Sequence, residues 1–462
     1  MKKRINLVLI LLFLISKLTY SQTITIEFPK FAGKTYEFII FQGDKQIKIY
    51  ENDTIPKDGL ITLEIPKEYA PYTGMCRWLI TGTAEGGGLD MAIPGHGFKV
   101  TCLSDQPNEN NINWQGYDAM NELNRLHRIQ QGIIDKYETM NKAAKLYDAK
   151  HLLYASFVKE KEAQRLAYSQ FQQDLKKNDN YNARFLPIVN LVSGTPPKLT
   201  DDYNERAKYI NEYITQELNY DHLYTSGHWT GIIQSWVQMH AQLYDNKDGF
   251  VNDFTTIGKR ITEPKKYTDF VGKVTYYLTQ YGKDAFIEAI APTVINSGKI
   301  TSYEGKTMQV YVKAMIGSQA PDLVIIEHIG KLEDHNHKTT VIKSNELASK
   351  NYTKTLLIFY QSGCGPCEEL MQQLPGQYAT LKEKGVRIIT LSADDSEQVF
   401  KNASSQYPWA DKYCDYEGKA GINFKNYAIL GTPTMFLINQ QGKIQAKLAT
   451  LAELEDHLKT NQ

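Results

Sequence analysis

The chain of 462 residues has five cysteines, no excess of either charge, and no long apolar run in its interior. Lys plus Arg and Asp plus Glu each number 52, so no basic surplus favours nucleic acid or an anionic membrane as a partner. Five cysteines are too few for a disulfide scaffold. No segment after residue 21 approaches the roughly 20 apolar residues that a transmembrane helix requires. These absences favour a globular, multidomain protein.

The first 21 residues have the pattern of a cleaved export signal. Met1–Arg4 is basic, a largely apolar run from Ile5 to Ile15 follows, and polar residues lead to Ser21, after which we expect cleavage. The run is shorter than the roughly 20 residues that span a bilayer, which favours a cleaved signal over an uncleaved anchor. No cysteine near the cut offers a lipid attachment point. Cleavage leaves 48 basic and 52 acidic side chains, a net charge of −4.

Periodicity divides the remainder into three predicted domains. Residues 22–106 contain short alternating runs typical of strands, such as Leu60–Ile65 after the turn Asp58-Gly59. Residues 107–315 have apolar side chains at three- and four-residue spacing, which is typical of helices, and residues 316–462 mix strands and helices. The predicted fold class is therefore an N-terminal all-β domain, a middle α-helical domain and a C-terminal α/β domain.

Within the middle domain, the predicted helical segments lie at residues 114–177, Asp202–Leu218, Trp229–Leu243 and Tyr267–Tyr281. In the C-terminal domain, the predicted strands are Leu323–Glu327, Lys338–Lys343, Thr355–Tyr360, Val386–Leu391, Thr434–Ile438 and Lys443–Ala446. The middle domain shows no catalytic constellation, and nothing in the sequence indicates the oligomeric state.

Cys364-Gly365-Pro366-Cys367 is the motif that carries chemistry. It follows the apolar run Thr355–Tyr360, typical of a buried strand, and begins a predicted helix. A helix N-terminus carries partial positive charge and free amide groups, and both favour a thiolate. Cysteines at such sites have pKa values of roughly 3.5–7.5, against about 8.5 for a free thiol. The motif predicts disulfide exchange, with Cys364 as the attacking thiolate and Cys367, one turn further and more buried, as the resolving thiol.

Three other interpretations of this motif are less favoured. A zinc site needs a second ligand pair, but His335 and His337 form only an H-x-H in a polar turn and Cys414 is alone, so no metal is expected. A purely structural disulfide is disfavoured because such a tight loop is usually redox-active. A peroxiredoxin pattern needs a proline upstream of Cys364, and residues 355–363 contain none. No cofactor is expected.

Gly431-Thr432-Pro433 is the predicted partner of the dithiol. It precedes the second apolar strand, Thr434–Ile438. We expect the Thr432–Pro433 bond to be cis, a form that is energetically accessible before proline. In that arrangement the Thr432 backbone would pair with a substrate strand, so Thr432 and Pro433 are the candidate substrate-binding residues.

Residues from about 317 to 462 resemble the TlpA/ResA-like branch of thioredoxins, the exported bacterial thiol–disulfide oxidoreductases. The resemblance is carried by Ala320-Pro321-Asp322-Leu323, by Cys364–Cys367 after an apolar strand, and by Gly431–Thr434 leading into Phe436-Leu437-Ile438. It implies a thioredoxin fold, a redox-active Cys364–Cys367 disulfide, a periplasmic location and client protein disulfides as substrates. The two N-terminal regions resemble extensions of multidomain versions in gram-negative bacteria.

The Gly-Pro dipeptide resembles that of reducing thioredoxins. A reductant in an oxidising compartment needs an electron supply, so a membrane-derived thiol donor is the implied partner. Two alternatives stay open: a disulfide oxidase or isomerase, and a binding protein whose first 300 or so residues carry the main role.

The chain departs from the family pattern around the dithiol. Gly363 stands where the family usually has Trp, Ile358 where thioredoxins bury an acid, and Leu370 where ResA-like members have a helical glutamate. Glu368 and Glu369 are near in sequence but point elsewhere on the helix, and Pro375 lies further from the dithiol than the usual helix proline. These departures leave the base that deprotonates Cys367 unassigned: Asp394 and Asp395, at the end of a strand, are the candidates, and slow exchange or proton transfer through water is the alternative.

The other three cysteines are expected to be structural. Cys76 and Cys102 lie in predicted strands, and two buried free thiols are favoured over a disulfide, although export would permit one. Cys414 is expected to be a buried thiol rather than a third redox partner.

Overall fold

The computed structural model describes residues 22–82, 87–117, 120–328, 337–348 and 351–460. The predicted export signal and His335 lie outside these residues. None of the described helices combines the length and the apolar character of a membrane-spanning segment. The structure divides into two compact units: the first comprises the described residues up to Pro187 with Thr225–Gly227, and the second comprises Ile188–Tyr224 and the described residues from His228 onward.

The described residues of the N-terminal region form eight strands in two four-stranded sheets. Its strands are β1 Thr23–Glu27, β2 Thr35–Gln42, β3 Lys45–Thr54, β4 Leu60–Glu64, β5 Thr73–Thr81, β6 Gly88–Pro94, β7 Phe98–Thr101 and β8 Asn113–Gln115. The sheet orders are β4-β1-β7-β8 and β3-β2-β5-β6. In β4 the burial alternates residue by residue, as the sequence pattern predicts for a strand with one face on the core. The prediction of an all-β region is confirmed.

Nine α-helices follow in the part of the middle region that the structure describes. They are α1 Met120–Leu146, α2 Tyr154–Lys177, α3 Tyr181–Val192, α4 Tyr203–Gln216, α5 Tyr220–Tyr224, α6 Trp229–Gln238, α7 Lys247–Arg260, α8 Pro264–Gln280 and α9 Asp284–Ile295. A π-helical segment, Met239–Tyr244, continues α6, and short 3₁₀ segments lie at Pro29–Phe31, Gln309–Tyr311, Ser344–Glu346 and Gly418–Ala420. The prediction of a helical region is confirmed.

The single helical stretch expected at residues 114–177 is instead two helices, and its first residue, Trp114, lies in β8. Asp148 interrupts the helix because its carboxylate accepts a hydrogen bond from the Lys150 amide and stabilises a turn. Helices α3, α5, α7 and α9 were not predicted. Helices α3 and α9 each contain an internal proline, a residue that usually breaks a helix.

The C-terminal region is a mixed α/β fold. Its elements are β9 Leu323–His328, β10 His337–Ile342, β11 Lys354–Tyr360, α10 Gly365–Glu383, β12 Val386–Ser392, α11 Glu397–Ser404, β13 Asp411–Cys414, α12 Ile422–Asn426, β14 Thr434–Asn439, β15 Ile444–Leu448 and α13 Leu451–Thr460. The five-stranded sheet has the order β13-β12-β11-β14-β15, with β11 parallel to β12 and antiparallel to β14, while β9 and β10 pair antiparallel in a separate sheet. This arrangement confirms the predicted α/β fold class.

The central strand β11 places the dithiol. Six of its seven residues are buried, because apolar clusters cover both faces of the sheet. Leu356 and Ile358 pack on the side of α10, whereas Leu357 and Phe359 pack on the opposite side. A central strand covered on both sides is rigid, so its end provides a fixed point for the loop that leads into α10.

The three domain boundaries remain a prediction. The change from strands to helices falls between β8 and α1, close to the predicted boundary at residue 106, whereas the compact units divide within α3, after Pro187.

Candidate active site

Cys364 and Cys367 form a disulfide at the start of α10. Cys364 is the N-cap residue, and Cys367 lies within the first turn, with their Cα atoms 5.2 Å apart. Cys364 is half-buried and Cys367 is 1 % exposed. The expectation that Cys367 is the more buried of the two is confirmed. Only Cys364 can therefore meet a bulky partner from solution.

The loop before Cys364 is held by two carboxylates. Ser362 donates hydrogen bonds from its amide and its hydroxyl to Asp394, at 2.9 and 2.8 Å, and the Gly363 amide donates to Glu368 Oε1 at 3.2 Å. Asp394 is 4 % exposed, so these bonds are made out of bulk water. Sequence reasoning named Asp394 only as a candidate base, and no sequence signal pointed to Ser362.

Gly363 has a φ of +76°, in the left-handed region that glycine adopts without strain. The aromatic residue that the family usually has here would be strained in this backbone conformation. The departure at Gly363 thus has a local structural basis.

The loop Gly431–Pro433 lies against Cys364. The Thr432–Pro433 bond is cis, which confirms the prediction. Cys364 Sγ is 3.4 Å from the Thr432 carbonyl oxygen, and the Thr432 hydroxyl is 3.9 Å from the same sulfur. Sequence reasoning assigned Thr432 a backbone role only, but its hydroxyl also faces the sulfur. A hydroxyl donor at this position favours the thiolate of the reduced state.

The positions where relatives have an acid are apolar here. Ile358 and Leu370 are 0 % and 5 % exposed and belong to the apolar cluster that contains Cys367. Tyr407 packs against the same cluster, and burial, together with nearby Asp394 and Glu368, raises its pKa above the usual value. Both acids therefore lie near Tyr407. Asp395 is exposed.

Tyr407 and Trp409 form an aromatic pair that packs in the apolar cluster containing Cys367. The Trp409 ring stacks on Tyr407, with centroids 5.1 Å apart, and its indole nitrogen donates to Thr390 Oγ1 at 3.1 Å. The sequence offered the closely spaced Tyr407-Pro408-Trp409 as a signal, but nothing in it placed this segment beside the dithiol.

The other three cysteines are free, buried thiols, as the sequence favoured. Cys76 lies in β5 and Cys102 follows β7, which belong to different sheets. Cys414 donates to the Asp394 carbonyl oxygen at 3.2 Å, and burial raises its pKa to about 12. A thiol with such a pKa is not ionised near neutral pH, which opposes a redox role for Cys414. Among the described residues no cluster of three or more metal-ligating side chains occurs.

Comparison with known proteins places the chain in a family. Residues 316–447 match the AhpC/TSA family. The thiol-disulfide oxidoreductase ResA of Bacillus thuringiensis subsp. konkukian is 33% identical over 150 residues, which cover 32% of this chain and 79% of that protein. The chain belongs to the ResA-like thiol–disulfide oxidoreductases. The ResA-like part is the C-terminal third, which carries the dithiol and the Thr432–Pro433 bond.

This ResA-like chain is also similar to human nucleoredoxin and to solved structures of thioredoxin-like proteins. Human nucleoredoxin is 32% identical over 117 residues, which cover 25% of this chain and 27% of nucleoredoxin. Among solved structures, a thioredoxin-like protein from Bacteroides caccae aligns over 58% of this chain and 98% of its own, with 16% identity and a TM-score of 0.36. A putative thiol:disulfide interchange protein DsbE from Chlorobium tepidum aligns over 31% of this chain and 93% of its own, with 23% identity and a TM-score of 0.24.

Proposed function

We propose that this ResA-like chain is an exported, periplasmic enzyme that reduces protein disulfides through a mixed disulfide with Cys364. The observation that carries the proposal is the asymmetry of the Cys364–Cys367 pair. A half-buried sulfur at a helix N-cap is linked to a fully buried one and lies 3.4 Å from the Thr432 carbonyl. That is the arrangement in which one sulfur meets the client and the other completes the reaction.

The reaction begins with the reduced protein. The Cys364 thiolate attacks one sulfur of the client disulfide, so a bond forms between Cys364 and the client while the client's own S–S bond breaks. The departing client sulfur leaves as a thiolate and takes up a proton. Cys367, once deprotonated, attacks the Cys364 sulfur, which forms the Cys364–Cys367 disulfide and releases the second client thiol. Two electrons have then passed to the client.

Thr432 and Pro433 are proposed to bind the client segment that carries the disulfide. Both are half-buried and lie at the edge of the dithiol, where the Thr432 backbone can pair with an extended segment. The Thr432 hydroxyl is proposed to stabilise the Cys364 thiolate.

The proton of Cys367 is proposed to leave by way of water. Ile358 and Leu370 offer no base, and both oxygens of Asp394 accept bonds from Ser362. Asp394 therefore serves better as a positioning residue for the loop than as a base.

The Cys364–Cys367 disulfide left by each cycle needs two electrons from a thiol donor. In an oxidising compartment such a donor draws its electrons from the membrane, which is why we propose a membrane-derived partner. Export is supported by the N-terminal signal pattern, and the redox chemistry by the family to which the chain belongs.

The test is the reduction potential of the Cys364–Cys367 pair, measured on the full-length chain by alkylation in graded thiol buffers. A value at or below about −250 mV supports a reductant, whereas one near −120 mV identifies a disulfide oxidase. The Cys367→Ser variant should accumulate a client–Cys364 mixed disulfide that mass spectrometry detects, and Cys364→Ser should not. Absence of any two-electron transition would contradict the proposal and direct attention to the N-terminal two thirds.

A further inference from the structure

A cavity of about 490 Å³ lies beside the dithiol, within the second compact unit. One wall comes from the first turns of α10 and from the Gly431–Pro433 loop, while the opposite wall comes from the turn between α8 and α9, residues 279–284. We propose that this cavity binds an extended, neutral or basic segment of the client next to its disulfide, and that the α8–α9 turn makes the selection. The inference rests on the proposed function.

The α8–α9 turn is attached firmly to the redox domain. The Lys447 side chain on β15 is only 7 % exposed, and its Nζ lies 3.5 Å from Asp284 and 4.0 Å from Glu288 on α9. At the other end of the turn, Thr279 packs close enough to Gly431 that an added Cβ there would lie 3.5 Å from its methyl group. These contacts hold the α8–α9 turn at a fixed distance from the Thr432 backbone.

The size of the cavity indicates what kind of client it admits. Ligand pockets typically have volumes of roughly 300–1,000 Å³, whereas a stable contact between folded proteins covers about 800 Å² on each partner. A volume of about 490 Å³ thus accommodates a short segment but not the face of a folded domain. Apolar side chains from both walls, Tyr281 and Leu370 among them, line it.

The charge of the lining indicates the chemistry of that segment. The two charged residues among the described lining residues are both acids, Glu369 and Asp284, and no Lys or Arg belongs to the lining. Asp284 is paired with Lys447, so its charge is offset. Glu369, which is exposed on α10, therefore makes the edge of the cavity negatively charged. A negative edge repels anionic disulfides such as oxidised glutathione and favours neutral or basic peptides.

The experiment uses the full-length, pre-reduced protein and three disulfide probes. Two probes are dimers of one unstructured peptide, linked through its single cysteine, with either Lys or Glu on both sides of that cysteine. The third probe is oxidised glutathione. Second-order rate constants for oxidation of the protein are measured at low ionic strength, where surface charge effects are largest.

We expect the Lys-flanked peptide to react about fivefold faster than the Glu-flanked one, and oxidised glutathione to react slowest. Tyr281→Ala should lower the rate with the Lys-flanked peptide about tenfold, as loss of an aromatic contact residue does, while oxidised glutathione changes little. The matched control is Tyr276→Ala, an exposed tyrosine of α8 outside the cavity, which should leave all three rates unchanged.

Three further variants test the charge argument without removing a large side chain. Glu369→Gln should bring the ratio between the two peptides close to one, whereas Glu383→Gln, at the other end of α10, should not. Gln280→Glu adds a negative charge to the opposite wall and should increase the ratio.

Equal rates for Tyr281→Ala and Tyr276→Ala, or a preference for oxidised glutathione, would overturn the inference while leaving the proposed function standing. A reduced wild-type protein that reacts with none of the probes would overturn both.

Discussion

Replacing Lys447 with Met should release α9 from the edge of the redox domain. The Lys447 ammonium group is nearly buried and is shared between Asp284 at 3.5 Å and Glu288 at 4.0 Å. Met preserves most of the aliphatic side chain but removes the charge, so two acids of like sign are left facing each other without their cation.

The size of the effect follows from the burial of the three groups. At the effective dielectric constant found near protein surfaces, unit charges 4 Å apart interact by about 4 kcal/mol. Removing one member of a buried pair typically costs about 3–5 kcal/mol. Asp284 and Glu288 are 17 % and 22 % exposed, so water can partly replace the lysine, and we expect a loss of about 3 kcal/mol. That corresponds to a roughly 100-fold increase in the opening equilibrium of α9.

Hydrogen exchange in the peptides that cover α9 and β15 measures this opening directly, without requiring the whole chain to unfold in one step. The matched control is Lys443→Met, which removes an exposed lysine just before β15. The triple variant Lys447→Met, Asp284→Asn, Glu288→Gln should recover most of the protection. Equal exchange in Lys447→Met and Lys443→Met would refute the reasoning.

The pH dependence of the Lys447→Met effect has a definite sign. Burial is the largest cause that raises the pKa of Glu288, Asp284 raises it further, and Lys447 lowers it. Because the folded-state pKa lies above the unfolded value, ionised Glu288 destabilises the fold above its folded-state pKa. This penalty falls as the pH decreases and vanishes below the unfolded value. Without Lys447 the pKa of Glu288 rises further, so the excess exchange of the variant should shrink as the pH is lowered towards about 5.

Three further predictions concern the dithiol and its neighbours. Thr432→Val removes the hydroxyl that faces Cys364 and should slow alkylation of reduced Cys364 at neutral pH by about threefold; an unchanged rate would show that the hydroxyl does not favour the thiolate. Asp394→Ala leaves two Ser362 donors unpaired and should lower the free energy of unfolding by about 2 kcal/mol in chemical denaturation, against less than about 1 kcal/mol for Asp394→Asn. A large loss of exchange activity in Asp394→Asn with unchanged stability would instead identify Asp394 as the base. Cys414→Ala should keep the exchange rate within about twofold, because the pKa of about 12 keeps this thiol protonated; a loss of activity would indicate a third redox cysteine.

Much of the C-terminal fold was predictable because its signals are local. The apolar run of β11, the helix that begins after Cys364 and the strand after Pro433 all lie within a few residues of their expected bounds. A strand covered on both faces has a continuous run of apolar residues, and the start of a helix is marked by a change in the spacing of the apolar residues. Both signals can be recognised from residues that are close together in the sequence.

The helical region was less predictable. Helix α9 is largely apolar on all sides and contains Pro292, so it lacks the amphipathic stripe by which a surface helix is recognised. The break between α1 and α2 depends on one hydrogen bond from Lys150 to Asp148, in a stretch without proline. In the C-terminal region, the short strand β13, with only four residues, was not expected either.

In the active site, too, some features were predictable from the sequence and others were not. The Cys364–Cys367 pair, their unequal burial and the cis bond before Pro433 follow from motif and spacing. The Asp394–Ser362 bonds join residues 32 positions apart, and no sequence pattern connects them.

By itself the sequence determined the dithiol, the strand that presents it and the loop that faces it, because each depends on residues close together in the chain. The tertiary structure alone decided what surrounds them. In β15, Lys447 has the pattern of an exposed lysine on an edge strand, yet α9 covers it and two acids some 160 positions earlier neutralise it. Whether a side chain is paired and buried depends on which distant element packs over it, and that is settled by the free energy of the whole fold.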